Sequence, residues 1–184
     1  MTKKLLMAAA GVFALLSAAP AFAQQNVSIE ISSSFVVTDG CIVGGGNNTG
    51  NIDFGEVQNP SGLATDVDGS TVTGDPITVS CNVSSTTASL QINAGQNDAA
   101  GVHRLRNLDA PGLPGEFIEY HVYSDPSRAP GSEFTIGNPL PINGGVITAG
   151  TPFEIPVYGR IFRANAAQAV AGNHTDRLQA IFSF

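Results

Sequence analysis

The sequence has 184 residues, of which only 12% are charged and 21 are glycine, with no tryptophan and fifteen acidic residues against eight basic ones. Both lysines, Lys3 and Lys4, stand at the extreme N-terminus, so the chain after residue 23 carries six arginines against fifteen acidic side chains, a net charge of −9. That balance excludes nucleic acid and anionic membrane as partners, because phosphate and acidic lipid both repel it.

Residues 1–23 read as a secretory signal peptide. Lys3 and Lys4 give the positive n-region, Leu5 to Ala18 the apolar h-region, and Ala21-Phe22-Ala23 the cleavage signal before Gln24. The apolar stretch is shorter than the ~20 residues a transmembrane helix needs, and no later stretch reaches that length, so no membrane insertion is expected. The chain is expected to leave the cytoplasm through the periplasm. The 161 residues that follow the leader suit one domain.

From Asn26 onward the chain alternates. Val27, Ile29, Ile31, Phe35 and Val37 are apolar, with Ser33 the exception, while Asn26, Ser28, Glu30, Ser32 and Ser34 are polar. Period two predicts a β-strand with one face for a core and one for water. Val27 to Val37 would span roughly 36 Å, about twice the usual strand. A strand this long at the start of a mature chain can pair outside its own domain. It is read as two pieces meeting near Ser32-Ser33-Ser34: an extension over 24–33, and a first strand of the domain 34–184 that begins with Phe35, Val37 and Cys41.

Cys41 and Cys81 are the only cysteines. An even count in an oxidising compartment reads as one disulfide. Closing a loop of this length stabilises by roughly 4 kcal/mol in the chain-entropy model. The rival readings, a zinc pair or a reactive thiol, lack further ligands or a His nearby in sequence.

Short alternating runs then recur between turn signals. Gly44 to Gly50 is a flexible loop before a strand at Ile52 to Phe54, and with no helix following it is not a phosphate loop. Asp66-Val67-Asp68-Gly69 resembles a fragment of a calcium loop without the remaining ligands and is read as a turn. Strands are expected around Ile77, Val79 and Cys81, around Leu90, Ile92 and Ala94, and across Phe117 to Tyr123. Asp98 to Gly115 reads as a Gly- and Pro-rich loop. Phe153, Ile155, Val157, Gly159 and Ile161 read as one face of a single strand. Residues 163–171 suit a helical turn or a loop. The last run places Leu178, Ala180, Phe182 and Phe184 on one face, with Gln179, Ile181 and Ser183 on the other. Many short strands with such turns predict an all-β sandwich or barrel.

Catalytic chemistry finds no motif. His103, His121 and His174 are scattered, His174 and Asp176 are the one close His/Asp pair, and no strained serine turn presents a nucleophile. The chain is not expected to be an enzyme or to need a cofactor or metal.

With these segments placed, the chain resembles the spore coat protein U family, which includes the major subunits of archaic chaperone–usher pili. The likeness runs from Val27 to Phe184 and rests on ordered pieces. They are Gly40-Cys41-Ile42-Val43, Ile52-Asp53-Phe54-Gly55, Ile77-Thr78-Val79-Ser80-Cys81, Leu90-Gln91-Ile92-Asn93-Ala94-Gly95, Arg104-Leu105-Arg106, Tyr120-His121-Val122-Tyr123-Ser124-Asp125, Ile155-Pro156-Val157-Tyr158-Gly159-Arg160-Ile161 and Gly172-Asn173-His174-Thr175-Asp176. A Trp usual after Asp125 is missing, with Phe134 in its place, and His174 stands where a Tyr is common.

The resemblance implies an incomplete, pilin-type immunoglobulin-like sandwich that lacks its last strand. It implies identical or related subunits as head-to-tail partners, a periplasmic chaperone, an outer-membrane usher, and a place at the cell surface in a pilus, fibre or coat serving adhesion or biofilm. Val27, Ile29 and Ile31 are then the donor strand, and Leu178, Ala180, Phe182 and Phe184 line the acceptor groove. The alternative is a monomeric secreted β-sandwich, a carbohydrate- or ligand-binding module whose first strand folds back to complete its own sheet, with Tyr120, Tyr123 and Tyr158 as the aromatics a sugar site would use.

Overall fold

The computed structural model describes residues 40–44, 50–75 and 77–184. The signal peptide, the Ala23–Gln24 cleavage point and the donor residues Val27, Ile29 and Ile31 lie outside the described residues. In chain order the strands are β1 (Cys41–Gly44), β2 (Asn51–Asp53), β3 (Val67–Asp75), β4 (Ile77–Cys81), β5 (Ser89–Ile92) and β6 (His103–Asn107). There follow β7 (Phe117–Tyr123), β8 (Leu140–Pro141), β9 (Phe153–Ile155), β10 (Tyr158–Ile161), β11 (His174–Thr175) and β12 (Ala180–Ser183). One helical turn, α1 (Arg163–Ala166), separates β10 from β11.

Every strand pair is antiparallel. The strands form a six-stranded sheet ordered β11-β6-β7-β10-β3-β2 and two three-stranded sheets, β1-β4-β9 and β12-β5-β8. This is the expected all-β, immunoglobulin-like sandwich. Its core follows the period-two reading: Val79 and Cys81 of β4, Leu90 and Ile92 of β5, and Ile118, Tyr120 and Val122 of β7 all point inward and are buried. Phe134, standing where the missing tryptophan was expected, is 1% exposed and donates its backbone N–H to Val122 O at 2.8 Å.

Three expectations are corrected. The run from Phe153 to Ile161 is two strands in different sheets, because Pro156 has no N–H to continue a ladder. Before it β9 pairs with β4, and after it β10 pairs with β3 and β7. The segment from Asp66 to Gly69 is the entry to β3, and its carboxylates face cations. Asp68 stands directly across from Arg160, whose Nε and NH2 donate to Oδ1 and Oδ2 at 2.8 and 3.0 Å, and the Asp66 carboxylate lies 3.8 Å from Arg160 Nε. The stretch from Asp98 to Gly115 contains β6, which pairs with β7 from His103↔Tyr120 to Arg106↔Phe117.

β2 is the outer strand of the six-stranded sheet, two places from β10, and the side chains of Ile52 and Phe54 lean back over Gly159 of β10. A Cβ at Gly159 would meet Phe54 Cζ at 2.5 Å and Ile52 Cγ2 at 2.7 Å, so a glycine leaves room for these two side chains over β10.

Candidate functional site

Cys41 and Cys81 stand opposite one another in the β1–β4 pair and are joined by a disulfide. The predicted bridge therefore pins a sheet-edge strand to its only partner among the described residues. β12 is likewise an edge: it pairs with β5 from Ala180↔Ile92 to Ser183↔Ser89, and no described strand pairs its other side. A sheet edge with unpaired N–H and C=O groups is a template for a further strand.

Beside these edges a cavity of about 1640 Å³ runs through the sandwich. This exceeds the ~300–1,000 Å³ of small-molecule pockets. Val43 of β1, Val79 of β4, Leu90 and Ile92 of β5 and Ile155 of β9 line it. Of the four acceptor residues expected from the sequence, Leu178, Ala180 and Phe182 line the cavity. Phe184 stacks on Phe182 with ring centroids 5.7 Å apart and is 46% exposed. Phe182 also approaches Phe153 of β9 at 6.1 Å, linking the sheet of β12 to the sheet of β1.

A second constellation lies where the segment before β12 meets the loop after β5. Sequence reasoning paired His174 with Asp176, but the fold pairs Asp176 elsewhere. His174 reaches the carbonyls of Gly172 and Gly115. Asp176 accepts the Tyr120 hydroxyl at 2.9 Å and the Asn97 backbone and side-chain N–H groups at 3.3 and 3.1 Å. Beside it, His103 Nδ1 stands 3.0 Å from Asp98 Oδ2, which also accepts the Gly95 N–H at 2.7 Å. Burial, reinforced by the Asp176 charge, pushes the Tyr120 hydroxyl well above its ordinary pKa. No sequence signal announces this cluster, because its members come from separate segments.

The tyrosines do not form a sugar-binding platform. Tyr120 and Tyr123 are buried in the core, and Tyr158 is half-buried with the Arg128 guanidinium 5.6 Å from its ring centre.

The family model of the Spore Coat Protein U domain matches residues 25–180. The chain belongs to the Spore Coat Protein U domain family. No curated protein sequence matches it. Among solved structures it is similar, at 11% identity and a TM-score of 0.42, to a chain in work described as "Chaperone-tip adhesin complex is vital for synergistic activation of CFA/I fimbriae biogenesis". That match covers 79% of this chain and 41% of the other. So distant a likeness adds nothing to the fold that the strand order shows. The described residues of this Spore Coat Protein U domain contain no helix long and apolar enough to cross a membrane.

Proposed function

We propose that this chain is a structural subunit of a secreted pilus, fibre or coat, which polymerises when the N-terminal strand of one copy enters the groove of the next. The observation that carries the reading is the large cavity, walled by Val43, Val79, Leu90, Ile92 and Ile155 and bordered by β12 and β1, each paired on one side only among the described residues. Membership of the Spore Coat Protein U domain family supports it.

The physics is strand addition: main-chain hydrogen bonds give affinity, and alternate side chains filling pockets give specificity. Val27, Ile29 and Ile31 lie at the alternate positions such a donor needs. Burying each contributes roughly 1.5–3 kcal/mol. Head-to-tail contacts that do not close into a ring propagate as a filament. An unfilled groove is an aggregation hazard, which is the reason for a periplasmic chaperone that holds the subunit until an outer-membrane usher passes it to the next. With a donor of its own, the chain is a shaft subunit in adhesion or biofilm rather than a tip, and no catalytic role is assigned to it.

Ile29→Asp and Ile31→Asp test the donor assignment. Each is expected to abolish SDS-resistant multimers in unboiled samples while far-UV circular dichroism of the domain stays unchanged. Wild-type levels of multimer from both variants would place the donor elsewhere.

A further inference from the structure

The cluster at the groove margin carries more than a structural hydrogen-bond network. One carboxylate oxygen each from Asp98 and Asp176 and one imidazole nitrogen of His103 lie within 4.8 Å of one another. The Asp98 and His103 side chains are 8% and 5% exposed. Yet Asp98 Oδ1, fully buried, has no hydrogen-bond partner, although Oδ2 of the same carboxylate faces both the Gly95 N–H and His103 Nδ1. Buried polar atoms are ordinarily paired, and a lone pair left without a partner is costly.

Charge points the same way. Two carboxylates share the site with a single imidazole. The guanidinium on the next residue does not compensate: Arg104 Nε donates to Asn97 O at 2.8 Å, and its Cζ lies 4.4 Å from the Phe117 ring centre. The carboxylates are also oriented from outside the cluster, Asp176 by Tyr120 and Asn97 and Asp98 by the Gly95 N–H. Such outer hydrogen bonds are what hold ligating side chains in place in metal sites. Gly95 completes the seat, since a Cβ there would run into the Asp176 carboxylate.

We infer that Asp98, His103 and Asp176 form a binding site for one divalent transition-metal ion, with zinc(II) the best match to a donor set of two carboxylates and an imidazole. Zinc accepts both donor types at about 2.0–2.2 Å, so in its tetrahedral geometry ligand atoms on one ion stand roughly 3.3–3.6 Å apart. Three protein ligands leave further positions to water, and Asp176 also lines the large cavity, which gives the ion a way in. The ion would tie the loop after β5 and the start of β6 to the segment that leads into β12, stiffening one wall of the groove. The site uses no residue of the 24–33 extension, so it stands or falls independently of strand exchange.

The test uses the full mature chain, stripped with EDTA, dialysed and titrated with zinc chloride by calorimetry. The expected result is one ion per chain and a melting temperature higher by about 3 °C or more at saturation. Uptake should be lost in His103→Gln and in Asp98→Asn, and kept in His121→Gln, which alters the separate His121–Glu133 pair. Should either cluster variant fail to fold, cobalt(II) added to the wild-type chain supplies the reading. A visible d–d spectrum of nitrogen and oxygen ligation, bleached by one equivalent of zinc, supports the site. No uptake by the wild-type chain, or equal uptake by a folded His103→Gln variant, would overturn it.

Discussion

At the residue scale, Asp68 and Gly159 each carry a measurable consequence. The bidentate contact from Arg160, aided by the Arg128 charge, holds the Asp68 carboxyl below its ordinary value of 3.8. A carboxyl whose folded-state pKa is depressed contributes stability above its unfolded pKa and loses that contribution as pH falls through the folded value. The wild-type melting temperature should therefore drop as pH falls below about 4. Asp68→Asn should melt lower at neutral pH and show a shallower acid decline; parallel curves would contradict the assignment. Gly159→Ala forces a methyl group against Phe54 and Ile52 and should cost about 1–3 kcal/mol by overpacking, as read by urea denaturation. The sequence shows which residues enter the core wherever polar and apolar alternate, as at Val79, Leu90 and Val122. It does not show the cluster of Asp98, His103 and Asp176, because Asp176, far along the chain from the other two, is brought beside them only once β11 has paired with β6.

At the element scale, the clearest strands are those whose buried face is apolar. β4, β5 and β7 are of that kind, and periodicity locates all three. β3 is not legible in the same way because its pattern is inverted. Thr71 is buried at 2% exposure, making hydrogen bonds with the Val157 backbone, whereas Val72 is 50% exposed. The division between β9 and β10 is hidden for another reason. The alternation runs unbroken across Pro156, and only pairing reveals that the chain changes sheets there. The disulfide acts at this scale as well, since it fastens β1, which contributes Val43 to the groove wall. Replacing Cys41 and Cys81 together by serine should lower stability by about 2–5 kcal/mol. It should also reduce multimer yield, seen as a lower denaturant midpoint and a weaker ladder from the same expression. An unchanged midpoint would mean that β1 is held by its ladder alone.

At the scale of the whole molecule, the sandwich joins a large groove with apolar side chains in its walls to edges that no described strand covers, and the sequence carries an alternating apolar run from Val27 to Val37. Each half makes physical sense through the other. The groove offers main-chain edges and pockets, and the extension offers main-chain groups and apolar side chains at every second position. The central claim is that the occupant comes from another copy. Its most direct test is periplasmic expression of the mature chain with and without residues 24–33, followed by gel electrophoresis of unboiled samples. The full chain should give an SDS-resistant ladder and the deleted chain none. A folded, monodisperse monomer from the full chain, obtained without a chaperone, would contradict the account.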